Sequence, residues 1–428
     1  KYFPKFEWPR IENPYLSFPM TSEVIDNVKE KEELAISQIK DAIKSNPNDI
    51  AGLIIEPIQG EGGDNHFRCR FFEKLRALAD EHEFLLIYDE VQTGVGITGV
   101  VGILKGGKQG KVLGLRADID ALPVTERNDL PFKSKVVTEF LGETTGVMHA
   151  CGHDTHTAIL MGVAEVLAKN KDQVAGTIKF IFQPAEEGPP PGEKGGALLM
   201  VEEGVLKNPD VDAIFGLHIN SATPVGQVRY KTGGIMASAQ RFVITVNGKQ
   251  THGSQPWSGV DPVYISSKII DGIQSIISRE SNLLKEAAVI SVGKIKSGVR
   301  FNIIPESAEL IGTIRTLDYD MRDHIEKRMH EMIPTIAEAY GGTAEVSISE
   351  STDITFNDPD LVAQMLPSME KALGKENVLL TKATTGAEDF SYFSREVPGF
   401  YFFLGGMTVG NETPFPHHTP DFFIDEDG

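Results

Sequence analysis

Within Met148–Thr157, MHACGHDTHT, the chain places three imidazoles, a thiol and a carboxylate: His149, Cys151, His153, Asp154 and His156. Imidazole nitrogen and thiolate sulfur are donors that zinc and related divalent ions favour. Cys151 and His153 are two residues apart, so an extended segment would turn both side chains to one side, as two ligands of one ion require. Glu186 and Glu187, in QPAEE, bring a second kind of group. Adjacent carboxylates cannot easily face one ion in the same way, which leaves one to ligate and the other to carry a proton. Two divalent ions ~3.5–4 Å apart can share a water, lower its pKa toward ~7, and need about five N, O and S donors between them. The competing readings are a chance cluster in a surface loop, solvated acids, and histidines satisfied in a core.

Position separates these readings. KVLGLRADIDALP is a predicted strand that runs to Asp118 and Asp120. TIKFIFQ runs into Pro184, Ala185, Glu186 and Glu187, and DAIFGL ends at His218. Cys151 and His153 immediately precede an amphipathic helix predicted over 155–170. In an open parallel α/β sheet, ligands bind outside the carboxyl ends of the strands, so these strand ends read as a site. Residues 228–353 change to strand, helix, strand, strand, helix, strand, the order of a split βαβ, ferredoxin-like α+β unit. The α/β pattern then resumes, and the chain closes with PFPHHTPDFFIDEDG, which brings His417 and His418 back toward the sheet. The expected organisation is α/β: a separate segment over 1–99, a catalytic domain over 100–227 and 354–428, and an inserted domain over 228–353.

A chain of 428 residues is long enough for two or three domains. No apolar run is long enough for a membrane span, and KYFPKFEWPR lacks the apolar core of a signal peptide. The first residue is Lys1, which leaves a processed or partial chain open. The formal charge, 41 − 61 = −20, argues against nucleic acid and anionic membranes as partners. With two cysteines, Cys69 and Cys151, and one of them a candidate ligand, the expected compartment is a reducing cytoplasm.

EPIQGEGGDNHFR and LLIYDEVQTGVGITG resemble class III aminotransferases, pyridoxal-phosphate (PLP) enzymes of the lysine 6-aminotransferase type, over about residues 1–99. The resemblance implies that Asp89 pairs with the pyridine nitrogen, with Val91 against the ring and Gln92 near its phenolic oxygen. The family's Schiff-base lysine and phosphate-binding loop have no counterpart: Lys105, Lys108 and Lys111 sit in sequence of another character. Without them transamination has no chemistry, so PLP is not expected. A PLP aminotransferase remnant and a catalytically inactive fusion are the alternative readings.

HACGHDTH, QPAEE, GLHI, THGSQP, FNIIPE, GAEDF and HHTPDF follow one another in that order. Together they are similar to the metal-dependent amidohydrolases that include hippurate hydrolase, indole-acetyl-amino-acid hydrolase and N-acyl-amino-acid deacylases, over about residues 98–428. That resemblance implies a dinuclear-metal α/β catalytic domain with an inserted ferredoxin-like lid domain. It implies two divalent ions (Mn, Zn or Co) held by Cys151, His153, Glu187, His218 and His418, with His417 as the alternative to His418. It implies Glu186 as general base and then acid, and His252, in the lid, as donor to the developing oxyanion. Asn302 and Arg315 match lid positions that hold a substrate carboxylate, for which an Arg fork is suited. Asp120 would orient a ligand or close a turn, and Asp154 would cap its helix; Glu388 and Asp389 line the same region in relatives. The implied activity is amide hydrolysis of N-acyl amino acids or small peptides by a metal-bound hydroxide. A homo-oligomer through the lid domain is a further expectation. The relatives' opening R-x-x-H-x-x-P-E helix is replaced here by the aminotransferase-like segment, and the chain stops at Gly428, before the helix that usually follows in relatives.

Overall fold

Apolar residues recur at helical spacing along Ser22–Ser45 and Cys69–His82, which form α1 and α2 of the computed structural model. The structure describes residues 9–16, 22–47, 50, 52–55, 58–59, 65–82, 84–88, 99–189, 195–410 and 413–426. Ala35, Ile36 and Ile39 of α1 pack with Phe71, Leu75, Leu78 and Ala79 of α2 in one core, beside the parallel strands β1 (Gly52–Ile55) and β2 (Leu85–Tyr88). Glu32, on the buried side of α1, is fully enclosed and paired with Arg68 Nε at 2.9 Å, as a buried charge requires. Asp89, Val91 and Gln92 lie outside the described residues.

The chain continues through β3 (Val100–Lys105), β4 (Lys108–Asp118), α3 (His153–Lys169), β5 (Ala175–Gln183), β6 (Ala213–Pro224) and β7 (Val228–Tyr230). Next come β8 (Ser238–Asn247), β9 (Thr251–His252), α4 (Pro262–Ser275), β10 (Ala288–Ser297), β11 (Ile303–Ile304), β12 (Ser307–Thr316), α5 (Tyr319–Ala339) and β13 (Thr343–Thr352). Two last strands, β14 (Val378–Leu380) and β15 (Gly399–Met407), follow. The structure divides into two units: Lys1–Tyr230 with Ala363–Leu379 and Glu396–Gly428, and Lys231–Val362 with Leu380–Arg395.

The first unit carries a seven-stranded sheet in the order β14-β7-β15-β6-β4-β5-β3. Its middle strands β15, β6, β4 and β5 are parallel neighbours, and β7 and β3 run antiparallel to them. Parallel strands are covered on both faces, which is why β5 reads as the nearly unbroken apolar run TIKFIF and is buried from Ile178 to Gln183. Helix α3 turns Leu160 and Ala164 into a core with Ala117, Ile178, Phe180 and Phe182.

The second unit is a four-stranded antiparallel sheet, β10-β12-β8-β13, with α4 and α5 on one face. Phe242, Ile244 and Val246 alternate along β8 toward Ile265, Ile269 and Ile273 of α4 and Ile325, Met329 and Ile333 of α5. Both helices begin on an aspartate cap. Asp261 accepts from the N–H of Val263 at 2.9 Å, with Pro262 in the first turn, and Asp318 accepts from that of Met321 at 3.0 Å. Among the described residues, no helix is long and apolar enough to cross a membrane.

Candidate metal centre

Three strands, one helix and the turns at Cys151 and His417–His418 of the first unit deliver the candidate groups. Asp118 is the last residue of β4 and Gln183 the last of β5. Ala185, in the left-handed region at φ 54°, then turns the chain so that Glu186 and Glu187 follow at once. His218 does not end its strand, as the sequence suggests, but lies inside β6. The reason is unequal pairing: β4 accompanies β6 only to Gly216, whereas β15 continues to Asn220. The side chain is therefore held by a paired strand yet lies beyond the end of β4.

Cys151 and His153 also differ from the expected extended segment. Cys151 is in a turn, Gly152 takes φ 92°, and α3 begins at His153 rather than Thr155. The left-handed glycine, and not a pleat, brings the two donors together. A Cβ on Gly152 would meet Ile219 Cγ2 at 2.4 Å. Gly152→Ala is therefore expected to lose about 1–2 kcal/mol from the backbone alone, and more from the displaced Ile219. A thermal-unfolding midpoint indistinguishable from that of the parent would contradict this.

The donors converge on Cys151 Sγ. His218 Nε2 lies 3.3 Å from it and His418 Nε2 3.2 Å, the latter across 267 residues of sequence. Two ligands of one tetrahedral ion with Zn–S ~2.3 Å and Zn–N ~2.0 Å stand about 3.5 Å apart, close to these spacings, which are hydrogen bonds in the metal-free chain. His418 Nε2 is also 2.8 Å from Glu187 Oε1. Donor atoms of Cys151, His153 and Glu187 all lie within 4.8 Å of one another. His153 Nδ1 is hydrogen-bonded to Asp120 Oδ1 at 3.1 Å, and Asp120 Oδ2 accepts the N–H of Glu187 at 3.0 Å. One carboxylate thus holds the ring of His153 and the backbone N–H of Glu187. His153 Nε2 is buried with no hydrogen-bond partner, 4.0 Å from Glu186 Oε2. A buried, unpartnered imidazole nitrogen among a thiol and two glutamates fits a divalent ion.

His417 and His418 separate by their partners. His417 Nε2 accepts the N–H of Ser221 at 3.3 Å, so the proton is on Nδ1, which faces Cys151 Sγ at 3.6 Å. Both of its nitrogens are committed. His418 takes φ 61°, a strained value for a side chain of this size, and its N–H is tied to Ala150 O at 2.8 Å.

The electrostatics follow from burial and company. Burial and the neighbouring imidazoles of His156 and His153 push His218 well below its usual value, so it is neutral. Burial and the adjacent His418 bring His417 down to about 4. His418 itself is pushed up to about 10 by its hydrogen bonds to Cys151 and Glu187. Burial opposes charge on His153, but the facing Asp118 and the bond to Asp120 outweigh it and raise its pKa well above the ordinary one.

The other three candidates belong to the second unit. His252 Nδ1 accepts from Ser254 N at 3.0 Å and faces the Ser254 hydroxyl at 2.7 Å; with Nδ1 accepting, the ring proton is on Nε2. Asn302 lies beside it in the chain fold, its carbonyl accepting the N–H of Gly253 at 2.8 Å, and its Oδ1 is buried without a partner. Arg315, half-buried on β12, lines an open recess of about 410 Å³ with Gln240, Arg241, Lys294 and Thr313. Its guanidinium is paired with no carboxylate among the described residues.

Residues 114–427 match the family model described as peptidase family M20/M25/M40. The chain belongs to that family. As an M20-type chain it is a metal-dependent hydrolase of amide bonds. It is similar to thermostable carboxypeptidase 2 of Saccharolobus solfataricus, 44% identical over 340 residues, which are 79% of this chain and 82% of the relative. It is also similar to N-acetylcysteine deacetylase of Bacillus subtilis, 38% identical over 330 residues, covering 77% and 81%. Among solved structures it resembles a dinuclear metal-binding M20 peptidase of Bacillus subtilis, with TM-score 0.65, 30% identity, and coverage of 92% of this chain and 94% of that one. Residues 4–105 match a second family model, aminotransferase class III.

Proposed function

We propose that the chain cleaves the amide of N-acyl amino acids or small peptides at a centre of two divalent ions (Mn, Zn or Co). Cys151, His153, Glu187, His218 and His418 would hold the ions. The observation that carries this reading is the convergence of His218, His418 and Glu187 around one buried thiol. Held there, the ions would lower the pKa of a water and polarise the scissile carbonyl.

The chain's own groups do the rest. Glu186 accepts the proton of the attacking water and returns it to the leaving amine. His252 keeps its Nε2–H available for an oxyanion because Ser254 occupies Nδ1. Arg315, half-buried and without a carboxylate partner among the described residues, receives the substrate's carboxylate, and Asn302 assists it. In this reading the larger part of the second unit is a ferredoxin-like lid domain inserted over 228–353, between catalytic segments 100–227 and 354–428. Residues 1–99 are the appended aminotransferase-like segment. A free thiol at the centre suits the reducing cytoplasm.

Supplying each metal in turn and assaying N-acetyl and N-benzoyl amino acids tests the reading. Metal-dependent release of the free amino acid supports it, and a loaded chain that cleaves none of them contradicts it. Uptake also has a pH signature. His418 is protonated at neutral pH in the metal-free chain, with a pKa of about 10, and ligation needs it neutral. Metal binding must release that proton, so affinity rises about tenfold per pH unit for each proton displaced. Titration calorimetry in buffers of different ionisation enthalpy reads this release; an affinity flat between pH 6 and 8, about two units, would contradict it.

A further inference from the structure

Arg116, Asp118, Gln183 and His156 are buried behind the centre, and the chemistry above uses none of them. They form one hydrogen-bonded chain. Arg116 Nε donates to Gln183 Oε1 at 2.7 Å, and its Nη1 donates to Asp118 Oδ2 at 2.9 Å. Asp118 Oδ1 meets His156 Nδ1, and His156 Nε2 accepts the N–H of Ile219 at 2.8 Å. Since Nε2 accepts, the imidazole carries its proton on Nδ1, where Asp118 receives it. Neither nitrogen is left for an ion.

The end of this chain falls where β6 has lost a neighbour. The N–H groups of a strand alternate between its edges. That of Ile214 is donated to Pro398 O at 2.9 Å, at the start of the β15 side. Those of Ile219 and Ser221 therefore face the edge that β4 leaves after Gly216. Buried N–H groups need acceptors, and two imidazoles replace the missing strand: His156 for Ile219 and His417 for Ser221. The same Ile219 gives its carbonyl to His218 Nδ1–H at 2.6 Å, which leaves the Nε2 lone pair of His218 facing Cys151 Sγ.

We infer that His156, held by Asp118, is a positioning residue for His218: it fixes the backbone of Ile219, whose carbonyl sets the tautomer and direction of the His218 ring. The inference rests on the metal reading above. A partner of this kind behind a ligating histidine is worth about 10–100-fold in metal affinity.

The test is Co2+ titration of the metal-free parent, His156→Leu and His156→Gln, followed by the cobalt–thiolate absorption band. His156→Leu is expected to bind Co2+ about 10–100-fold more weakly. His156→Gln, whose side-chain oxygen can accept from Ile219, is expected to recover most of the loss. A His156→Leu protein with parental affinity would overturn the inference while leaving the metal reading intact. A parent that takes up no Co2+ would overturn both. If the leucine variant does not fold, the glutamine variant and a nitrogen-15 histidine spectrum of the metal-free parent decide. His156 and His218 should both be Nδ1–H tautomers, and a His218 protonated on Nε2 would overturn the inference.

Discussion

Glu186→Gln is expected to lower kcat by ~10²–10⁴-fold, the usual range for a positioned acid–base group, with metal content unchanged. Its carboxylate lies 4.0 Å from His153 Nε2, close to the donors, while the adjacent Glu187 has its oxygen on His418. The amide of glutamine keeps the shape and removes the proton carrier. The comparison that makes the assignment specific is Glu187→Gln, which should lose metal first and activity as a consequence. Metal analysis beside kcat separates the two. Parental turnover in Glu186→Gln would remove Glu186 from the mechanism.

Cys151→Ala should have the other large effect. Sγ is the common neighbour of His218, His417 and His418. Its removal takes the sulfur donor from among His153, Glu187, His218 and His418, so the ion they would share loses its thiolate ligand. The expected loss in Co2+ affinity exceeds the ~100-fold upper range for residues that act through a ligand, and the cobalt–thiolate band should vanish. Bound metal should also protect the parent thiol from alkylation. A Cys151→Ala protein that retains both ions at parental affinity would exclude the thiolate as a ligand.

Much of the centre was legible because its chemistry is local in sequence. Cys151 with His153, and Glu186 with Glu187, sit in short motifs directly after or before apolar runs, and α/β strand ends are where such groups gather. Backbone conformation was not legible in the same way. The spacing of Cys151 and His153 suggests a pleat, but the conformation depends on Gly152, for which the tight approach of Ile219 leaves no room for a side chain. His218 falls inside β6 because β15 outlasts β4 along it, a property of neighbours some 180 and 100 residues away along the chain by simple count. The two adjacent histidines near the end of the chain are equivalent by type. They differ because Ser221 donates its N–H to His417 across 196 residues, while His418 Nε2 lies against Cys151 and Glu187. Asp118 and His156 were visible as candidate groups, yet their service to the edge of β6 appears only once strand lengths are known.

Crystals grown with Zn2+ or Mn2+ and measured on either side of the metal absorption edge test the central claim most directly. The account predicts two anomalous peaks ~3.5–4 Å apart, enclosed by Cys151, His153, Glu187, His218 and His418. An ion bound away from Cys151, or none at saturating metal, would contradict it.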